Sequence, residues 1–121
     1  MERKGFMLEC MEPFSREKAM KVMREIGCTP EGIEIMCDKA VFYVIRVHDV
    51  PTKAANVIKQ TFLSKGADAA VSRYAVDLSK ERTDVLLFAT LAQYRAAAAI
   101  LMRQPWGLSK LARALLVLLE S

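Results

Sequence analysis

Ala40-Val41-Phe42-Tyr43-Val44-Ile45-Arg46-Val47 is the stretch on which the fold turns. β-Branched and aromatic side chains suit a pleated, partly buried surface, so these residues read as a strand. They are apolar at both alternating positions until Arg46. That describes an interior strand covered on both faces, or covered by helix on one face and by a partner on the other. Val85-Leu86-Leu87-Phe88-Ala89 is a second stretch of the same kind. Between the two, Asp49-Val50-Pro51 stops the first strand, Pro51 fits a first helical position, and Ala54, Ala55, Ile58 and Phe62 form a helical face ending at Gly66. Residues 69–76 read as a weaker strand, poor in bulky side chains, forming a hairpin with residues 85–89 across a polar connection.

Working outward, residues 6–10 are a short apolar stretch, expected as an edge strand and closed by Pro13. Ser15 is an N-cap for a helix carrying Ala19, Val22, Met23 and Ile26 at helical spacing, which Gly27 ends in a left-handed conformation. Thr29-Pro30-Glu31-Gly32 reads as a turn or single helical turn running into Ile33 and Met36. Residues 91–102 form a strong helix, whose four consecutive alanines from Ala96 imply close approach to the sheet or to another helix. Gln104-Pro105-Trp106-Gly107 breaks it. A last helix puts Leu108, Leu111, Ala112, Leu115 and Leu119 on one face, and Leu116, Val117 and Leu118 carry apolar surface around the rest. A helix apolar all round must bury itself in something, so Leu115, Leu116, Leu118 and Leu119 are the expected interface. The order is β-α-β-α-β-β-α-α. It describes the α/β class in its α+β sandwich form, with helices packed on a mixed sheet of about four strands. Its centre is compatible with a ferredoxin-like split βαβ unit.

With 121 residues, 53% of them hydrophobic, residues 1–121 are expected to form a single domain. An eight-stranded α/β barrel, at about 250 residues, does not fit. No apolar run approaches the ~20 residues that span a bilayer. The N-terminal residues 1–5 meet charge too soon for a secretory core, so a cytoplasmic chain without a membrane partner is expected. The net charge of +4 is spread along the chain among acids, as in Lys80-Glu81-Arg82, and predicts no nucleic-acid partner. Cys10, Cys28 and Cys37 are odd in number and widely spaced, which favours buried, unreactive thiols over disulfides or zinc ligands. No glycine-rich loop and no cluster of ligands stands out, so no metal and no cofactor is expected.

Few residues point to chemistry. His48, the single histidine, adjoins Asp49 at the end of the strongest strand, but neighbours on a strand face opposite ways, and a surface or capping histidine is the expectation. Phe42 and Tyr43 lack the signature of an RNA-binding sheet and read as core. Asn56, Lys59 and Gln60 share one stripe of the helix after Pro51. They suit an anion or polar ligand, or else form a solvated face opposite Ala55, Ile58 and Phe62. Arg46 and Arg73 lie in strand-like stretches; on one open sheet face they would bind an acid alongside Tyr74, and otherwise they are edge-exposed or salt-bridged.

Several segments carry a resemblance when taken together. They are Gly32-Ile33-Glu34-Ile35-Met36 through Lys39-Ala40, Ala54-Ala55-Asn56-Val57-Ile58-Lys59-Gln60, residues 63–73 with Gly66-Ala67-Asp68-Ala69-Ala70-Val71, Thr83-Asp84-Val85-Leu86-Leu87, and Gln104-Pro105-Trp106-Gly107-Leu108. In this order they resemble the extra N-terminal region that precedes the barrel in some bacterial dihydropteroate synthases. Those folate-pathway enzymes join a pterin pyrophosphate to p-aminobenzoate. The resemblance covers the chain roughly from Ile26 onward and implies an accessory domain of that enzyme, or a free-standing relative of it. The barrel's pterin- and sulfonamide-site sequences are not here, so no catalytic residue is carried across.

The leading expectation is therefore a non-catalytic domain that docks on a dihydropteroate synthase barrel or on a second copy of itself. The second is a domain binding a small anionic, pterin- or folate-like ligand through Asn56, Lys59, Gln60 and Arg73. A third is an independent enzyme using His48 and a cysteine.

Overall fold

The computed structural model describes residues 2, 3 and 5–120. Met1 and Lys4, in the charged N-terminal stretch, and Ser121, at the limit of the expected domain, lie outside the described residues. The chain runs β1 (Glu2–Arg3), β2 (Phe6–Met7), α1 (Arg16–Ile26), α2 (Pro30–Met36) and a 3-10 turn (Cys37–Lys39). It continues with β3 (Phe42–Pro51), α3 (Thr52–Ser64), β4 (Asp68–Val71), α4 (Arg73–Asp77), β5 (Arg82–Thr90), α5 (Leu91–Leu101) and α6 (Leu108–Glu120).

The α+β sandwich stands, and its sheet differs from the expected one in two ways. It has three strands in the order β3-β5-β4, and both pairings are antiparallel. Residues 6–10 do not join it: Gly5 turns at φ 83, and only Phe6–Met7 pairs, with Glu2–Arg3, in a separate two-stranded ribbon. Because β5 lies between β3 and β4, those two outer strands run parallel, joined by α3. This is a split βαβ unit, as the sequence order allowed.

The helices form where local chemistry starts and stops them. The Ser15 hydroxyl accepts from the Lys18 N–H at 3.1 Å, and Gly27 ends α1 at φ 95. Thr90 and Gln93 form a reciprocal capping box at the start of α5: the Thr90 hydroxyl accepts from the Gln93 N–H at 3.2 Å, and the Gln93 side-chain Oε1 accepts from the Thr90 N–H at 2.9 Å. Residues 69–76 are not one strand. Alanines give β4 little to pack, it ends at Val71, and Ser72 leads into α4, whose Ala75 is buried.

Helices α3 and α5 cover one face of the sheet, α6 packs on α5, and the core lies between them. It includes Ile58 and Phe62 of α3, Leu87 of β5, Tyr94 and Leu101 of α5, and Leu115 of α6. The alanines of α5 do what their size permits: Ala97 and Ala98 are buried against the core, giving the helix its close approach.

Candidate functional site: an open sheet face with a charged rim

Alternation along the strands sends Tyr43, Ile45 and Val47 of β3, with Val85, Leu87 and Ala89 of β5, toward the helices. Among the described residues nothing covers the opposite set. Phe42 is 58% exposed and Val44 59%, and Leu86 and Ala70 are exposed too. The register sets these side chains in rows, Val44 opposite Phe88 and Arg46 opposite Leu86, with Ala70 on the far side of Leu86. Among the described residues the helices and connections leave this face open, so the alternative in which β3 is covered on both faces is overturned.

At one end this face carries a charged network built on a β-bulge. The register slips between Val47 and Val50, and Asp49 takes a left-handed conformation with φ 55. The bulge aims the Asp49 N–H at Asp84 Oδ1, 2.9 Å away. Arg46 donates to Asp84 Oδ2 through Nε at 2.9 Å and Nη2 at 2.6 Å, and His48 Nδ1 lies 3.3 Å from the same oxygen. Arg82 donates from Nε to Asp49 Oδ1 at 2.8 Å and from Nη2 to the Asp49 carbonyl at 2.7 Å. The Asp49 amide, with the Arg46 guanidinium next in weight, holds the Asp84 carboxyl below the usual carboxylate range. Asp84 therefore remains an anion at neutral pH. It is suited to bracing the bulge, not to exchanging a proton.

His48 thus meets Asp84 and not its neighbour Asp49. The sequence carries the signal for this only in hindsight: residues 46, 48 and 84 share the parity of the open face. Arg46 is salt-bridged. Arg73 is not on a strand but begins α4, beyond β4 on the opposite edge of the sheet from β3, so the two arginines do not form a common acid site. Arg73 donates to its neighbour Tyr74 Oη at 3.2 Å, and the Lys80 ammonium lies 4.1 Å from the Tyr74 ring centroid.

The helix stripe divides as well. Asn56 donates from Nδ2 to the Ala75 carbonyl at 2.8 Å, fastening α4 to α3. Lys59 donates from Nζ to Asp68 Oδ1 at 3.0 Å and to the Ala69 carbonyl at 2.9 Å, fastening β4 to α3. Lys59, with the Ala69 amide, keeps the Asp68 carboxyl below its ordinary range. Gln60 is exposed. Asn56 and Gln60 line a shallow cavity of about 410 Å³ between α3 and α5, with Thr61, Ser64, Ile100 and Gln104. Lys59 and Arg73 do not line it.

Of the four expected interface leucines, Leu115 is buried in the core and Leu116 and Leu119 pack against it. Leu118 is 55% exposed. The apolar surplus of α6 is thus largely absorbed by its own domain. The cysteines depart from expectation: Cys37 is buried, but Cys10 and Cys28 are exposed, since they fall in connecting segments and not on core faces. Among the described residues no group of three or more His, Cys, Asp or Glu side chains is placed to hold a metal ion. No described helix is long and apolar enough to cross a membrane.

Over 96 residues the chain is 31% identical to a probable bifunctional folylpolyglutamate synthase/dihydropteroate synthase of Halobacterium salinarum. The chain is distantly related to part of a folate-pathway enzyme. The matched stretch is 79% of this chain and 12% of that protein, so the chain spans about an eighth of its relative's length. No family model and no solved structure matches it.

Proposed function

We propose that this chain is a non-catalytic accessory domain of dihydropteroate synthesis, which acts by associating with the catalytic barrel of a dihydropteroate synthase. One observation carries the reading. Asn56 and Lys59, two of the three polar groups of the string most characteristic of the resemblance, are spent on fastening α4 and β4 to α3. What this string builds is a scaffold and not a reaction centre. The similarity to a small part of a bifunctional synthase supports the same reading. The test is to purify the chain and the dihydropteroate synthase barrel of the same cell separately and then mix them. The expected result is co-elution of the two on gel filtration, with dihydropteroate formed by the barrel and none by the chain alone. Turnover by the chain alone, or elution of the two as separate species at tens of micromolar, removes the reading.

A second reading rests on the cavity between α3 and α5. Gln60 and Gln104 place amides at the edge of an open, mostly apolar lining that includes Val57 and Ile100, suited to the face of a flat heterocycle of the pterin kind. Calorimetry with a pterin, a folate and p-aminobenzoate decides it. Heat that disappears in Gln60→Ala supports the site, and no heat at millimolar ligand dismisses it.

A further inference from the structure

We infer that the cavity where α1, β3, α5 and α6 meet binds a small zwitterion, an apolar amino acid or a short peptide of such residues. Arg16 and Arg95 take its carboxylate, and Glu17 and Glu120 take its ammonium. The site is separate from the cavity between α3 and α5, and it does not depend on docking to a barrel. Its volume is about 670 Å³, which falls in the range of small-molecule sites.

Asp38 sets the cations. It lies on the 3-10 turn with its side chain only 17% exposed, and it spends one carboxylate oxygen on each arginine. Arg16 donates from Nε to Oδ1 at 2.9 Å, and Arg95 from Nη1 to Oδ2 at 2.8 Å. One carboxylate thus holds two guanidinium groups at a single cavity, leaving one positive charge that Asp38 does not balance. Each guanidinium carries five N–H donors in a planar fork. Beyond Asp38, Arg16 Nη1 meets the Met20 sulfur at 3.6 Å. Arg16 Nη2 and Arg95 Nε and Nη2 have no acceptor among the described residues. Donors held in place beforehand in this way suit a ligand carboxylate.

The rest of the lining decides against a simple anion. Glu17 and Glu120 line the same cavity, and among the described residues neither joins an ion pair. Two carboxylates repel a phosphate or a dicarboxylate, and they supply the counter-charge for an ammonium. A molecule carrying one charge of each sign answers both the arginines and the glutamates. Leu91, Leu119 and the Tyr43 ring complete the lining with apolar surface, which suits an aliphatic side chain.

Calorimetry of the whole chain with leucine and with leucyl-leucine is the primary test. Saturable heat at millimolar ligand is expected from at least one, and the tighter of the two tells free amino acid from peptide. The same ligand with its amine acetylated, or with its carboxylate amidated, should bind at least about tenfold more weakly. Arg95→Gln should weaken binding by a similar factor, as should Glu120→Gln at the exposed end of α6. Arg113→Gln, an equal change of charge elsewhere on α6, should leave binding intact. No saturable heat from either ligand overturns the inference, as does equal binding of the capped ligands. Binding that survives both Arg95→Gln and Glu120→Gln, or is lost in Arg113→Gln, overturns it too. Amide chemical shifts of the unsubstituted chain stay informative if Arg95→Gln misfolds. Titration should move residues 15–17, 91–95 and 119–120 and not residues 56–64, and the reverse pattern also overturns the site. A chain that binds neither ligand yet co-elutes with the barrel removes this site and leaves the proposed function standing.

Discussion

Asp84 receives the Asp49 N–H, two donors of Arg46 and the approach of His48 on one carboxylate, and the first of these comes from a residue that adopts φ 55. Aspartate tolerates that left-handed conformation better than most residues, and a β-branched side chain tolerates it badly. Asp49→Val is therefore expected to cost about 1–2 kcal/mol of backbone strain. Asp49→Gly, which keeps the conformation and loses only the exposed bond from Arg82, should cost less than Asp49→Val. Urea midpoints of the two variants check the order, and equal midpoints would show that the bulge is not strained as described. Nothing near Asp49 in sequence announces its role: a His-Asp pair suggests a dyad, whereas the partner that matters lies 35 residues away on β5.

At the scale of elements, α5 shows how a local signal and a tertiary one divide the work. Its start is written in Thr90-x-x-Gln93, a capping box legible in the chain. Its docking rests on Tyr94, buried edge-to-face against Phe62 with ring centroids 5.5 Å apart. The Tyr94 hydroxyl donates to the Tyr43 carbonyl at 2.8 Å and lies 3.2 Å from the Leu87 carbonyl, bracing two strands at once. Burial pushes this phenol well above its ordinary pKa, so it stays a donor. Tyr94→Phe should cost about 1–2 kcal/mol, read as a lower urea midpoint at unchanged slope. Ala98→Leu should cost about 1–3 kcal/mol, because the helix has no room to retreat from the core. The four consecutive alanines announce such a contact in the sequence, but residues 69–76 mislead. They read as a weak strand, and only the buried slot for Ala75 beside α3, with Asn56 holding its carbonyl, makes the last part a helix.

For the whole molecule, the carboxylates set the response to acid. Asp68, Asp77 and Asp84 all titrate below their ordinary values in the folded chain, through hydrogen bonds from Lys59, from Ser79, and from Asp49 with Arg46. The folded state thus binds fewer protons than the unfolded one in that range. The stability they contribute is complete above about pH 4, the unfolded value for Asp, and is lost as pH falls through the folded values. Tm followed by circular dichroism should fall as pH drops below about 4. Lys59→Met, which removes the leading cause at Asp68, should flatten part of that fall. An unchanged acid slope in Lys59→Met would mean that Asp68 is not held by this latch.

Periodicity, capping residues and glycine positions are local properties, so the sequence by itself determined the α+β class, α1, α3, α5 and α6, and the strand character of residues 42–47 and 85–89. The tertiary structure alone decided that β5 inserts between β3 and β4, that His48 meets Asp84, and that Asn56 and Lys59 hydrogen-bond to Ala75 of α4 and to Asp68 and Ala69 of β4. It also decided which apolar surfaces are spent and which are left. α6 read as the surplus but packs most of its leucines into its own core, while β3 read as interior but keeps Phe42 and Val44 in solvent. An apolar residue carries the same signature whether its cover comes from its own chain or from another, and only the long-range packing of helices on the sheet distinguishes the two.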